Sequence, residues 1–196
     1  MEYNENDERH GIAKLWLNTG ELEYIFSYKN DVSHGKQQSF HPNGKIYEVW
    51  YESNGKREGV FKKWHENGQI AEKSNYKNNE SEGVIKKWHE NGQRSWEANY
   101  KNDEANGLST SWYENGQLLR KGNYKDGKKD GTWKYWHENG NLKDFSEWKN
   151  GKKHGKTFWY FENGELWFEL THDNGIQLDN HTGEPLPVQV DELLNH

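Results

Sequence analysis

WHENGQ stands at residues 64–69, returns unchanged at 88–93, and is followed by WHENGN at 136–141. A histidine beside a glutamate invites a metal or acid–base reading. Whether the hexapeptide is a reagent or a building block decides what kind of fold this is. Gly11, Gly35, Gly59, Gly83, Gly107, Gly131 and Gly155 recur every 24 residues, and Gly20, Gly44, Gly68, Gly92, Gly116, Gly140 and Gly164 keep the same step. Five residues after each member of the first series stands an aromatic: Trp16, Phe40, Trp64, Trp88, Trp112, Trp136 and Tyr160. A third series holds Asp31, Gly55, Asn79, Asp103, Gly127, Gly151 and Gly175. A fixed period of this length marks stacked supersecondary units. Seven units run from 11 to 178, after a degenerate half-unit at 1–10 and before a non-repeating cap or tail at 179–196.

Each unit carries two turn signals, of the types ENG and KNG, with six to eight residues between them, a length that suits strands and is short for helices. Each unit therefore reads as a β-hairpin. Repeat 2 has Pro42 before Asn43-Gly44, and proline prefers the first central position of a type I turn. That favours a three-residue loop closed by a left-handed glycine over a two-residue turn. The register that follows sets Trp64 opposite Ile70, Trp112 opposite Leu118 and Trp136 opposite Leu142. Carried along the strands, it also pairs Lys62 with Glu72, Lys134 with Asp144 and Phe158 with Phe168, combinations that favour pairing. The two-residue alternative would set Lys62 against Lys73.

In this frame tryptophan is a core residue, His-Glu leads into the turn, and Asn-Gly makes it. Equivalent histidines (His41, His65, His89, His137) are two strands apart, about 10 Å at the usual strand spacing, whereas metal ligands converge within about 2 Å of one ion. Tyr113 and Leu17 occupy the same position, so the role does not require imidazole. HEN is not the helical H-E-x-x-H motif. The glycines are spaced singly and form no phosphate loop, and no nucleophile has a base and an orienting partner. The reading is a chain without catalysis, cofactor or metal.

The 196 residues are 30% hydrophobic and 30% charged, with mean hydropathy −1.39. Such figures alone would suggest disorder, but 11 Trp and 11 Tyr supply large apolar area. Cysteine is absent, which excludes disulfides and thiolate chemistry. A net charge of −6 weighs against nucleic-acid binding and suits a basic partner. The N-terminus has no apolar signal core, and no run reaches the length of a membrane span. The expected location is the cytoplasm.

Strand alternation assigns the faces. One is expected to carry the tryptophan series, the aliphatic series with Ile70 and Leu142, and Tyr28, Tyr76, Tyr100, Tyr124 and Trp148, as a structural core. The other varies between repeats. It shows Lys63 and Lys87, then Tyr47, Val49 and Tyr51, then Trp133, Tyr135, Phe145, Trp159, Phe161 and Trp167, and is the candidate partner surface. For Trp159, Phe161 and Trp167 in the last repeat, binding and end-capping stand equal. The tail, with a short helical turn at Asp191 to Asn195, is expected to cover the last edge.

The units resemble MORN repeats of the bacterial variant type. The pattern is G-x4-W-[HY]-E-N-G-Q-L followed by Y-K-[DN]-G-K-x-[HD]-G, and GLSTSWYENGQLLRKGNYKDGKKDG at 107–131 carries nearly all of it. Repeat 2 departs with Glu52 at the closing aromatic, and repeat 4 with Arg94 at the aliphatic place. The resemblance implies an all-β protein: one elongated, twisted antiparallel sheet of consecutive hairpins. For function it implies a scaffold or membrane-associated module, and the stand-alone variants resemble the YwqK-like antitoxin or immunity group. The expectation is a non-enzymatic protein-binding repeat protein that occludes a partner toxin, a basic nuclease-like one by charge. The alternative is a general scaffold or anionic-lipid module, for which Lys62, Lys63, Lys86 and Lys87 form a local basic stripe, although alternating neighbours point to opposite faces. The sequence leaves the oligomeric state open.

Overall fold

The computed structural model describes residues 2–178; the tail at 179–196, with the turn expected at Asp191 to Asn195, lies outside them. The regular structure is one 18-stranded antiparallel sheet. Each unit is a hairpin: an outgoing strand, six residues in the first four units, as in Gly59–Trp64, and nine in the last three, as in Lys128–Trp136, and an eight-residue return such as Ile70–Lys77. Each return then pairs with the next outgoing strand, Ile46–Ser53 with Gly59–Trp64 and Ile70–Lys77 with Gly83–Trp88. Before the first unit, Tyr3 bridges Arg9.

The two turns of each unit differ, and the sequence shows why. At WHENGQ the Gly68 N–H donates to the His65 carbonyl and the His65 N–H donates to the Gln69 carbonyl, which encloses a three-residue loop with Gly68 at φ 91°. Asn67 Oδ1 accepts from the Gln69 N–H at 2.9 Å. The other turn has two central residues, both at positive φ: Asn54 (51°) with Gly55 (76°), Asp126 (48°) with Gly127 (72°). That is the type I′ geometry whose twist suits a hairpin, and asparagine, aspartate and glycine are the residues that tolerate it.

Both turns also bind successive repeats together. His65 Nε2 lies 2.9 Å from the Trp88 carbonyl and His89 Nε2 3.0 Å from that of Trp112; the Tyr113 hydroxyl donates to the Trp136 carbonyl at 2.8 Å, and His137 Nε2 meets the Tyr160 carbonyl at 2.9 Å. Asn67 and Asn91 each donate to the carbonyl of the next turn's glutamate, Glu90 and Glu114, at 2.8 Å. At the opposite end of the hairpins, the Gly55 N–H donates to Ser33 and the Gly151 N–H to Lys129. The hexapeptide is a joint between repeats.

Next to the three-residue loop the register is as expected: Trp64 faces Ile70, Trp112 faces Leu118 and Trp136 faces Leu142. Beyond that pair the expected register is wrong. One extra residue on the return strand, Ala71 in repeat 3, bulges out, so Lys62 lies opposite Lys73 and Lys63 opposite Glu72. Lys134 faces Phe145, and Phe158 faces Glu169. A one-residue slip sends every later side chain to the other face.

The faces are reassigned accordingly. Tyr76 and Tyr124 do not share a face with the tryptophan series; they pack on Phe61 (centroids 6.1 Å) and Trp133 (4.9 Å). The core is therefore on the face expected to bind partners. Its deepest part is a row that crosses the sheet: Phe61 against Ser74, Ile85 against Ala98, Ser109 against Gly122, Trp133 against Ser146. Trp133 is 0% exposed. Gly122 is required by close approach, since a Cβ there would lie 2.2 Å from the Trp133 ring. Gln37, also 0% exposed, takes both backbone groups of Ser27, accepting from its N–H at 2.9 Å and donating to its carbonyl at 3.0 Å. Burying one large apolar side chain contributes about 1.5–3 kcal/mol, so the spine makes neighbouring hairpins cohere. Repeat 2 accommodates its departure by having Trp50 Nε1 donate to Glu52 at 2.9 Å.

Candidate functional site

Two residues along from the spine, on the same face, a second row crosses the sheet with one side chain per strand. It runs Glu48, Lys63, Glu72, Lys87, Trp96, Ser111, Arg120, Tyr135, Asp144, Trp159, Phe168, each directly opposite the next. Four of the eight expected partner residues, Lys63, Lys87, Tyr135 and Trp159, thus fall in one line.

The N-terminal half of the row is ionic and internally matched. Lys63 Nζ is 3.3 Å from Glu48 and 4.4 Å from the Tyr47 ring centre. Burial pulls the Lys63 ammonium down, but the Tyr47 hydroxyl and Glu48 outweigh it and hold its pKa above the usual lysine value. Lys87 Nζ is 3.2 Å from Glu72. The basic stripe divides between the two faces, as strand alternation requires. Lys63 and Lys87 belong to this row, whereas Lys62, Lys73 and Lys86 line up on the opposite face.

The C-terminal half is aromatic. A pocket of about 360 Å³ opens between Tyr135, Trp136, Trp148 and Trp159, with Lys129, Lys143, Lys153, Asp144 and Ser146 on its wall. Lys129 Nζ donates to the Tyr135 hydroxyl at 2.8 Å and lies 4.4 Å from the Trp148 ring centre and 4.5 Å from that of Trp133. Lys153 Nζ sits 4.9 Å from the Trp159 ring centre. The Ser146 hydroxyl donates to Asp144 at 3.1 Å. Burial raises the Asp144 carboxyl, against the pull of Ser146 and of Lys153, Lys129 and Lys143. Burial lowers the Lys153 ammonium, Asp144 opposes this, and Lys129 adds to it. His172 is lowered by burial and then by Lys153.

Three other expected contacts stand elsewhere. Trp133 is wholly buried, with Nε1 donating to the Asn123 carbonyl at 3.0 Å, so it supports the row and cannot touch a partner. Tyr51 is exposed on the opposite face, in a depression with Trp64 and Lys62. Trp167, 57% exposed, stacks on Phe161 at 5.7 Å beside the end of the row. Lys129, Asp144, Trp148 and Lys153 escaped notice as site residues. The signal available for Lys129 was its position two residues before a unit glycine, where Arg9, Arg57 and Lys153 also stand over aromatic rings. Among the described residues no group of three or more His, Asp or Glu could hold a metal ion.

A linear array of hairpins, with a buried spine and a mixed ionic and aromatic row beside it, defines a repeat scaffold. The chain belongs to the MORN repeat variant family, whose model matches residues 9–30, 33–51, 57–78, 81–102, 105–126, 129–152 and 153–174. No curated protein matches it. Among solved structures, alternansucrase in complex with isomaltononaose is similar at 16% identity, over 90% of this chain and 16% of that one, with a TM-score of 0.18. The chain spans about a sixth of that enzyme's length, and a likeness of this degree carries no functional argument.

Proposed function

We propose that this is a non-enzymatic protein-binding repeat protein, and within that class an antitoxin or immunity protein that occludes a partner toxin in the cytoplasm. The observation that carries the reading is the aromatic half of the row. Tyr135, Trp148 and Trp159 are only half-buried although they share a face with the spine, and among the described residues no second layer packs on them. Large, stiff aromatics around a depression are the side chains that anchor protein interfaces. Among the described residues the turn histidines His65, His89 and His137 each meet a backbone carbonyl of the next repeat, which makes them joints and not catalytic bases.

The test is co-expression with the product of the neighbouring gene. A stable complex through affinity and size-exclusion steps, together with relief of growth arrest caused by that product, supports the reading. Trp159→Ala and Tyr135→Ala should weaken capture while the circular dichroism spectrum stays that of the parent. Failure of both capture and protection rejects it.

A further inference from the structure

We propose that the pocket formed by repeats 5 to 7 docks an acidic segment of a partner protein, one that presents a carboxylate next to an apolar or aromatic side chain. The proposal rests on the protein-binding reading and names the chemistry of the contact.

Charge is the first argument. The whole chain carries −6, but this pocket has the opposite sign: Lys129, Lys143 and Lys153 stand against Asp144 alone. Among the described residues none of the three lysines lies within ion-pair distance of a carboxylate, in contrast to Lys63 and Lys87 in the same face's other half. The partners of Lys129 and Lys153 are ring faces and a hydroxyl. Ring faces hold an ammonium in place and leave its charge unneutralised. A carboxylate arriving there makes charge-assisted bonds to donors that are already positioned.

The same contacts exclude other guests. A guest cation would need the faces of Trp148 and Trp159, and Lys129 and Lys153 already occupy them. A flat anionic membrane attracts exposed cations, whereas Lys129 and Lys153 are half-buried between aromatic rims. Tyr135, Trp136 and Trp159 supply wall area for an apolar side chain beside the carboxylate. Burial and Lys129 together hold the Lys153 ammonium below its usual range; an arriving anion offsets both effects.

The experiment titrates the full chain with a blocked synthetic peptide of alternating Glu, Leu, Asp and Phe, read by tryptophan fluorescence and calorimetry. Its Gln/Asn counterpart and vesicles of phosphatidylcholine with phosphatidylserine serve as alternative probes. The expected result is saturable binding of the acidic peptide that weakens with salt and is absent for the amide peptide. Lys129→Gln and Lys153→Gln should each reduce affinity about tenfold, the size of one charge-assisted contact, and Lys134→Gln on the opposite face should leave it unchanged. Equal binding of the amide peptide overturns the proposal. So does binding of the vesicles but not the peptide. Binding that appears only when the chain is cut after Leu178 also overturns it, because the occupant is then the chain's own 179–196. If the neighbouring gene's product is captured yet the acidic peptide is not bound, the protein-binding reading stands and this proposal falls.

Discussion

His89 places its imidazole 3.0 Å from the Trp112 carbonyl, and Tyr113 reaches the next such carbonyl with its hydroxyl at 2.8 Å. The position needs a polar group on a flat ring of a certain reach, and it does not need a metal ligand. His89→Ala should therefore lower stability by about 0.5–1.5 kcal/mol, the net value of one intramolecular hydrogen bond. His89→Tyr should stay close to the parent. Urea midpoints at fixed pH measure both; a parent stabilised by zinc and a variant that is not would reject the structural role. Gly122 makes a sharper case. Its backbone is in an ordinary strand conformation, yet the Trp133 ring lies where a Cβ would go. Gly122→Ala should cost about 1–3 kcal/mol through overpacking. Combined with Trp133→Leu, the two changes should cost less than their sum, because the smaller side chain removes the clash. Simple additivity would show that the two do not touch.

At the scale of strands, turns were legible and register was only half so. Pro42 and the single glycines specify loop geometry through φ, so the chain's own chemistry announces the three-residue loop and the pairs beside it. The bulge after the loop needs no special residue. Tyr47, Ala71, Leu119, Lys143 and Trp167 occupy the bulged place in different repeats, and nothing common to them betrays it. The inverted faces followed from that one residue. The spine was hidden for a similar reason: Gln37, Phe61, Ser109 and Trp133 share a position but no chemistry, and their cross-strand partners range from Gly122 to Trp50. Lys63, Lys87, Tyr135 and Trp159 were legible as sharing one face because alternation along the outgoing strand holds before the bulge intervenes. Asp144 sits on the return strand beyond the bulge and was assigned to the wrong side. Its burial makes a prediction. A carboxyl whose folded pKa lies above its unfolded value destabilises the fold once pH rises through the unfolded value near 3.9, and the effect is complete above the folded value. Asp144→Asn removes that dependence. The stability of the variant relative to the parent should be greatest at neutral pH and should fall as pH drops through the carboxylate range. Urea midpoints of both proteins from neutral to acid pH check this, and parallel curves would show that Asp144 is not held up by its surroundings.

The molecule as a whole behaves as a line of units, each touching only its neighbours, so that stability is a sum of units and junctions. The joints thin out at the two ends: Leu17 and Phe161 stand where imidazole stands in the middle, and Asn163 donates to Glu165 of its own turn rather than to a following repeat. Interior junctions, by contrast, are interchangeable, and this can be tested by removing one unit. Deleting residues 59–82 joins Glu58 to Gly83, another unit glycine. Glu48, which pairs with Lys63, then meets Lys87, and Val49, which pairs with Lys62, meets Lys86; His41, now 2.9 Å from the Trp64 carbonyl, finds that of Trp88. Every ladder is kept. The shortened chain should remain a cooperatively folded β-protein, with a denaturant m-value lower by about one-seventh, in proportion to the surface it no longer exposes on unfolding. Deleting 59–81 removes one residue fewer and keeps Glu82 in the outgoing strand. The register there slips by one, Lys87 exchanges faces with Lys86, and Ile85 leaves the spine. That chain should lose near-ultraviolet signal and cooperative unfolding. If the two deletions behaved alike, the period of 24 would be a feature of the sequence with no mechanical meaning, and the stacked-hairpin account of both the spine and the row beside it would fail.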